Sequence, residues 1–283
     1  MAMRFQAALA WKNTKIKMKK FLTILSLATI LFTSCAKDDD LIATTDGAGK
    51  TTLTFDATFN GSDFALNKDF ALGTKTFNFN KFRYWVSNVI LVNAAGEEVK
   101  VQGSYYLIEE TGAINLVGVN NEVSTTIYPA TKREDVSLKE IPAGDYKAIK
   151  FGVGVDQKYN DNLSLQSGEL SQLNGMTNVS WMWLTSYIFT SATGTVKEGA
   201  TSKSMKVETG LNGNYKTVSL NFPQSVKIGS SKSSSIILNV DVAKVFDGID
   251  VIATPTVGAS QASAMTAVAN NYATKVFTVK SVN

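Results

Sequence analysis

The densest run of oxygen ligands in the chain lies between Gly152 and Leu170, in "GVDQKYNDNLSLQSGEL". Asp156, Asn160, Asp161, Asn162 and Glu169 place carboxylate and amide oxygens at short spacing on a segment that follows a strand pattern. Such side chains suit Ca²⁺, which takes about six to eight oxygens. Asp156, Asn160, Asp161 and Glu169 are therefore the candidate oxygen-type metal ligands. Their spacing follows no standard calcium loop, and the competing reading is a solvated loop whose Asp and Asn side chains bond their own backbone. A second stretch, "SWMWLTSYIF" (Ser180 to Phe189), sets Trp181 and Trp183 two residues apart. In a strand such residues share a face, with Met182 and Leu184 on the other. Apolar residues on both faces read as a central strand in a core. If exposed, Trp181 and Trp183, together with Trp85, would instead form a stacking surface for a glycan or partner, or the aromatic wall of a metal site. Met176 and Met182, with Met205, are candidate soft ligands, since thioethers suit Cu(I), although no Met-x-x-Met spacing joins them.

What the chain lacks narrows the chemistry further. It contains no histidine and a single cysteine, Cys35. The commonest general base and nitrogen ligand is thus missing, and no Ser-His-Asp or Cys-His pair can form. No phosphate-cradling glycine loop or dinucleotide fingerprint is present. A pair of carboxylates could still hydrolyse a glycosidic bond, but acids are too numerous to single out a pair. The expectation is a protein that binds rather than catalyses.

The ends and the charge bear on location. From Met18 the chain reads "MKKFLTILSLATILFTSCAKDDD": two lysines, an apolar run and small residues before Cys35. That is the three-part pattern of an export signal, so residues 1–34 are expected to be a signal peptide with its true start at Met18. "LFTSC" resembles the lipobox of bacterial lipoproteins, which implies acylation of Cys35 and anchorage in a lipid bilayer. "AKDDD" resembles the acidic tag of Bacteroidetes-type lipoproteins, which implies an outer-membrane lipoprotein on the cell surface or the periplasmic face. Six of the 28 basic residues and none of the 24 acidic ones precede Cys35, leaving 22 basic against 24 acidic, a net −2. No basic face remains to point to nucleic acid.

The elements that must position these residues read as strands. Residues 35–50 are polar after the cysteine and form the expected tether. "TTLTFDATFNG" alternates, with Leu53, Phe55, Ala57 and Phe59 on one face. Phe77 to Val92 is a strong strand, Asn93 to Glu98 a turn, and "VKVQGSYYLIEE" a returning strand. Residues 111–135 read as a long loop, and Val136 to Asp156 as strand pattern broken by a turn at Pro142 and Gly144. Thr195–Ser204 and Gly229–Ser235 read as hydrophilic hairpin loops beside the strands "YKTVSLNF" and "SIILNVDVAKVF". Ala259 to Phe277 is expected to be partly helical. The fold class expected for residues 51–283 is all-β: one antiparallel β-sandwich-like domain with long loops and short helices.

Several segments, in order, carry a family resemblance: "LTFDATFNG", "NKFRYWVSNVILVNAAGEEV", "SYYLIEE", "LKEIPAGDYKAIKFGVGVDQKYN", "GELSQLNGM", "WMWLTSYIF" and "ANNYATKVFTV". Together they resemble the MbnP-like family of methanobactin-associated periplasmic copper-binding proteins and their lipoprotein relatives, over about residues 51–280. The resemblance implies a single β-rich domain and copper binding or handling. It also implies histidine ligands assisted by an oxidised tryptophan. Here "FDA" puts Ala57 at one histidine position, and "VETGLNGN" puts Thr209 at roughly another. The histidine copper site of the family therefore cannot form as described. Trp181 and Trp183 match the family's tryptophan segment. The function expected is non-enzymatic metal binding by an anchored lipoprotein. The alternative is an accessory lipoprotein that holds a glycan or an outer-membrane receptor through aromatics. If Cys35 carries the anchor, Cys35→Ala moves the chain from the membrane fraction to the soluble fraction; a variant that stays with the membrane refutes the anchor.

Overall fold

A sequence that alternates apolar and polar residues makes a strand with one dry and one wet face, and β1 (Gly49–Phe59) is the clearest instance here. Thr51, Leu53, Phe55, Ala57 and Phe59 are buried, and the residues between them are exposed or half-buried. The computed structural model describes residues 47–117, 123–178 and 186–283, and these described residues cluster as one compact unit. After β1 come a short return, β2 (Ser62–Asp63), then β3 (Asp69–Leu72) and the longest strand, β4 (Lys75–Asn93). β5 (Glu98–Lys100) and β6 (Tyr105–Thr111) come back along it. β7 (Ile114–Val117) and β8 (Val123–Tyr128) pair with each other and precede β9 (Thr131–Arg133), β10 (Asp135–Ile141) and β11 (Gly144–Val153). A short helix, α1 (Gln157–Asn160), opens the long connection to β12 (Thr177–Asn178) and β13 (Ser186–Glu198). β14 (Thr201–Gly210), β15 (Lys216–Ile228), β16 (Ser234–Asp241) and β17 (Thr256–Val257) follow, then α2 (Ala262–Thr274) and β18 (Phe277–Val282).

These strands form the all-β, sandwich-like domain that the sequence implies. The smaller sheet has the order β10–β1–β16–β18, and the larger runs β15–β11–β4–β13–β14–β17. The apolar faces of both contribute to one core. Phe55 of the small sheet meets Tyr84 and Phe151 of the large sheet edge-on, at 6.1 and 5.7 Å between ring centroids. Edge-to-face pairs of this kind contribute beyond their buried area. From α2, Met265, Val268 and Tyr272 join the same core. The antiparallel expectation needs correction at two places: β1 pairs with β16, and β14 with β17, in parallel. Parallel neighbours need a long crossover, and most of the domain lies between β1 and β16.

β4 is the spine of the large sheet. Its first half, Lys75 to Tyr84, pairs with β13. Its second half, Val86 to Asn93, pairs with β11. The exchange happens at Trp85, whose carbonyl accepts from the Gly154 N–H at 3.0 Å. The core-facing residues of β4 are Phe77 and Phe79, then Phe82, Tyr84 and Val86, then Val89 and Leu91. The inward set thus changes from odd to even and back to odd. The first change is a bulge against β13, where Lys81 pairs with Thr193 but Phe79 with Gly194. The second is at Asn88, whose φ of 51° lies in the left-handed region. An extra residue flips every side chain beyond it.

Two sequence expectations fail on length. Residues 111–135 are not simply a loop, since they hold β7, β8 and β9. Their β-branched runs are too brief to show a period. Thr195–Ser204 is mostly strand, because β13 runs to Glu198 and β14 resumes at Thr201. It reads as hydrophilic because Thr201 to Ser204 are exposed.

A buried ion pair ties the β8 end of the β7–β8 hairpin to the spine. Arg83 and Glu109 are buried, and Arg83 Nε donates to Glu109 Oε2 at 2.6 Å. Arg83 Nη2 donates to the Asn174 carbonyl at 2.7 Å. The Tyr128 ring lies 4.8 Å from the guanidinium, and its hydroxyl donates to Glu109 Oε1 at 2.5 Å. Burial, and next the Glu109 carboxylate, raise the Tyr128 phenol above its ordinary pKa. Breaking a buried pair by removing one partner leaves the other charge uncompensated, at about 3–5 kcal/mol. Glu109→Ala is expected to lower the unfolding free energy by that order in chemical denaturation; a loss below about 1 kcal/mol would mean that Arg83 finds another anion.

Candidate functional site

The outer face of the large sheet carries a second apolar cluster. Trp85 is fully buried there, edge-on to Tyr187 at 5.9 Å, with Leu107, Val155, Leu170, Met176 and Phe189 around it. The connection from Gly154 to Asn178 supplies several of these residues and so covers this face. Two glycines of "FGVGVD" allow the close packing. A Cβ on Gly152 would lie 2.0 Å from the Tyr215 hydroxyl. Gly154 has φ 111°, and a Cβ there would meet the Phe189 ring at 2.6 Å. Only glycine fits such positions.

A polar network rims this cluster. Asn88 Nδ2 donates to Asp156 Oδ2 and to the Tyr215 hydroxyl, both at 2.9 Å. The Tyr105 hydroxyl donates to the same Asp156 oxygen in a short hydrogen bond and lies 3.2 Å from Asn88 Oδ1. Ser87 Oγ lies 3.2 Å from the Tyr215 hydroxyl. The left-handed turn at Asn88 aims its amide between the two tyrosines; Asn tolerates that conformation better than most residues. Burial, and then the Asp156 carboxylate, push the Tyr105 phenol far above its ordinary pKa. It therefore stays a donor throughout the physiological range.

Beside the network lies a cavity of 530 Å³. Asn88, Tyr105, Asp156 and Tyr159 form its wall, and Lys100 and Lys158 stand on its rim. The Tyr105 and Tyr159 rings meet edge-on at 5.0 Å. The Lys158 ammonium lies 4.8 Å from the Tyr159 ring centre. Its volume is within the range of about 300–1,000 Å³ typical of small-molecule sites.

The residues singled out in the sequence are scattered over this region. Asp156 belongs to the Asn88–Tyr105 network. Asn160 accepts from the Tyr187 N–H at 2.9 Å and donates to Asn212 at 2.8 Å. Asp161 accepts from Asn212 at 2.8 Å and from Gln157 at 2.9 Å. Asn162 accepts from the Ser164 N–H at 3.1 Å, bonding its own loop. Glu169 pairs with Arg133, at 2.7 Å from Nη2, and accepts from the Leu107 N–H at 3.1 Å. Among the described residues, no three His, Cys, Asp or Glu side chains lie close enough to share a metal ion. Trp85 is buried, so it offers no exposed stacking face. Met176 lies in the outer cluster and Met205 in the main core, so these two sulfurs do not share a site. Trp181, Met182, Trp183 and Cys35 lie outside the described residues.

Ala57 and Thr209, at the histidine positions implied by the family, are both buried. The Thr209 hydroxyl is 2.8 Å from that of Thr190. Sequence reading missed Asn88, Lys100, Tyr105, Lys158 and Tyr159 as a group. The signal for Asn88 was present: in "WVSNVIL" the apolar alternation breaks at the asparagine. The Tyr105 shift has a consequence for stability. A phenol held neutral in the fold contributes stability that is fully present below about pH 10, its unfolded value, and is lost as pH rises beyond it. Tyr84 and Tyr272, both raised by burial, act in the same direction. The denaturation midpoint is expected to fall as pH is raised above about 10, and less steeply in Tyr105→Phe. Equal slopes would refute the Tyr105 contribution.

A solved structure described as MbnP from Methylosinus trichosporium aligns at 17% identity, covering 71% of this chain and 78% of that one, with a TM-score of 0.45. No curated protein matches. The family model for MbnP matches residues 48–266, which is nearly all of the strand-bearing domain and well over half of the chain. The chain belongs to the MbnP family.

Proposed function

We propose that this chain is a cell-envelope lipoprotein, anchored through acylated Cys35, that binds its ligand without transforming it. In this reading it keeps the MbnP domain and has given up the histidine copper site. The observation that carries the reading is the complete absence of histidine from a member of the family. The donor chemistry of the implied positions agrees: Ala57 offers no ligand atom, and the Thr209 hydroxyl is engaged with Thr190. These residues do not fit a copper ion of the family type. The separation of Met176 from Met205 removes support for a soft-ligand substitute built on that pair. The calcium reading is likewise weakened, because Asp156, Asn160 with Asp161, and Glu169 serve three separate sets of partners.

What remains suited to a ligand is the cavity beside Asp156. It has a fixed acceptor, amide and phenol groups, and two rings, the features by which small polar molecules are oriented. The chain has no histidine, and no thiol lies among the described residues, to transfer a proton or attack a bond, which supports binding over catalysis. The test is elemental analysis of the purified chain after exposure to copper and to calcium and then dialysis. The expected content of either metal is well below one ion per chain. Retention near one copper per chain would overturn the reading and return the protein to metal handling. Retention of calcium alone would restore the Asp156–Glu169 segment as its site.

A further inference from the structure

We propose that the Asp156 cavity and the surface beside it bind an acidic polysaccharide, with one uronic-acid ring seated against Tyr159 beside Asp156. This rests on the reading of the chain as a non-catalytic binding protein, and it names the ligand class.

Three neighbouring cavities share lining residues. The first, of 530 Å³, shares Lys100, Val101 and Gln102 with a second of 430 Å³. The second shares Lys139 with a third of 410 Å³, which begins at Ala48 and Gly49. Their linings carry six cations and three carboxylates, whereas the other described residues carry 15 basic and 16 acidic groups. Positive charge is therefore gathered along this line against the trend of the molecule.

Glu169 offsets Arg133, while Asp156 is held by the neutral Tyr105 and Asn88 and the exposed Glu140 is in no ion pair among the described residues, which leaves five lysines against two acids. Among the described residues none of Lys50, Lys100, Lys139, Lys158 and Lys232 is in an ion pair, and Lys158 Nζ donates to the Tyr159 hydroxyl at 3.3 Å. A row of unpaired ammonium groups at cavity rims suits an extended polyanion.

A sugar, rather than any polyanion, is favoured by the first cavity. Both bonds to Asp156 fall on Oδ2, so the other carboxylate oxygen keeps its lone pairs for a hydroxyl donor. Tyr105 and Asn88 fix that carboxylate before any ligand arrives. The half-buried Tyr159 ring, held edge-on by the buried Tyr105 at 5.0 Å, supplies an amphipathic wall for the C–H face of a pyranose. Lys100 and Lys158 then stand where a ring carboxylate would be balanced.

The test uses calorimetric titration of the intact chain in detergent, with tetragalacturonate as the acidic probe and maltotetraose as its neutral match. Tetragalacturonate is expected to bind saturably, with an affinity that falls as salt is added, and maltotetraose about tenfold more weakly or worse. Replacing the two rim lysines together (Lys100→Ala with Lys158→Ala) is expected to weaken tetragalacturonate about tenfold and leave maltotetraose unchanged. Tyr159→Ala is expected to weaken both probes. These side chains are exposed or half-buried, so thermal melting should confirm that the variants fold. Absence of saturable binding overturns the proposal. So does equal or tighter binding to poly-aspartate or to phosphatidylglycerol vesicles, which would make the site a general anion surface or a membrane contact. Copper retention would refute the functional reading without touching this result, and failure of the uronate probe would refute the site while leaving the metal result intact.

Discussion

One strand serving two partners along the same edge is the constraint on which the rest depends. β4 pairs with β13 and then with β11, and at Trp85 neither ladder continues. A buried backbone carbonyl left there without a donor would cost about 1–3 kcal/mol. The Gly154 N–H supplies that donor. To bring it in, β11 must end at this point and the chain must turn sharply over Phe189, which explains the glycine with positive φ. The divergence of two neighbours also opens the outer face, and the following connection covers it with Val155, Leu170 and Met176. Asn88, three residues on, resets the alternation of β4 and holds the lip of the covering segment through Asp156. The binding cavity is the space left at the margin of that cover.

Much of the fold was legible because its causes are local. The alternation of β1, the turn at 93–98, the break at Pro142 and the helix near residue 262 all come from short-range pattern, and all appear where expected. The bulges of β4 were legible only in part. "FNFNKFRYWVSNVILV" carries its phase changes in plain letters, but deciding which face is inward needs the facing sheet. The site was less visible still. Asp156 stood out as one of several loop acids, yet its partners Asn88 and Tyr105 lie 68 and 51 residues away in sequence. Lys100 and Lys158 read as ordinary surface lysines until the fold places them on one rim. Glu169 seemed a sister ligand to Asp156 and instead belongs to Arg133.

The family relation and the missing histidines are compatible once scaffold and site are separated. What holds the framework of this chain is a set of packing and backbone conditions: Gly152 under Tyr215, Gly154 under Phe189, the buried Arg83–Glu109 pair, the Phe55 contacts between sheets. None of these uses a metal ligand. The positions where the resemblance puts histidines are occupied by residues the core accepts, an alanine between Phe55 and Phe59 and a threonine bonded to its cross-strand neighbour. Chemistry can be lost at such positions while the fold is kept.

The placement of β1 has a mechanical consequence. The first described strand is interior to its sheet, with β10 on one side in antiparallel register and β16 on the other in parallel register. Any force on the chain preceding Gly47 therefore acts along the length of β1. Both ladders resist it in shear, with many hydrogen bonds sharing the load at once, rather than peeling open singly from an end. A domain held in this way can be tugged by its N-terminal lead while the far face stays in register.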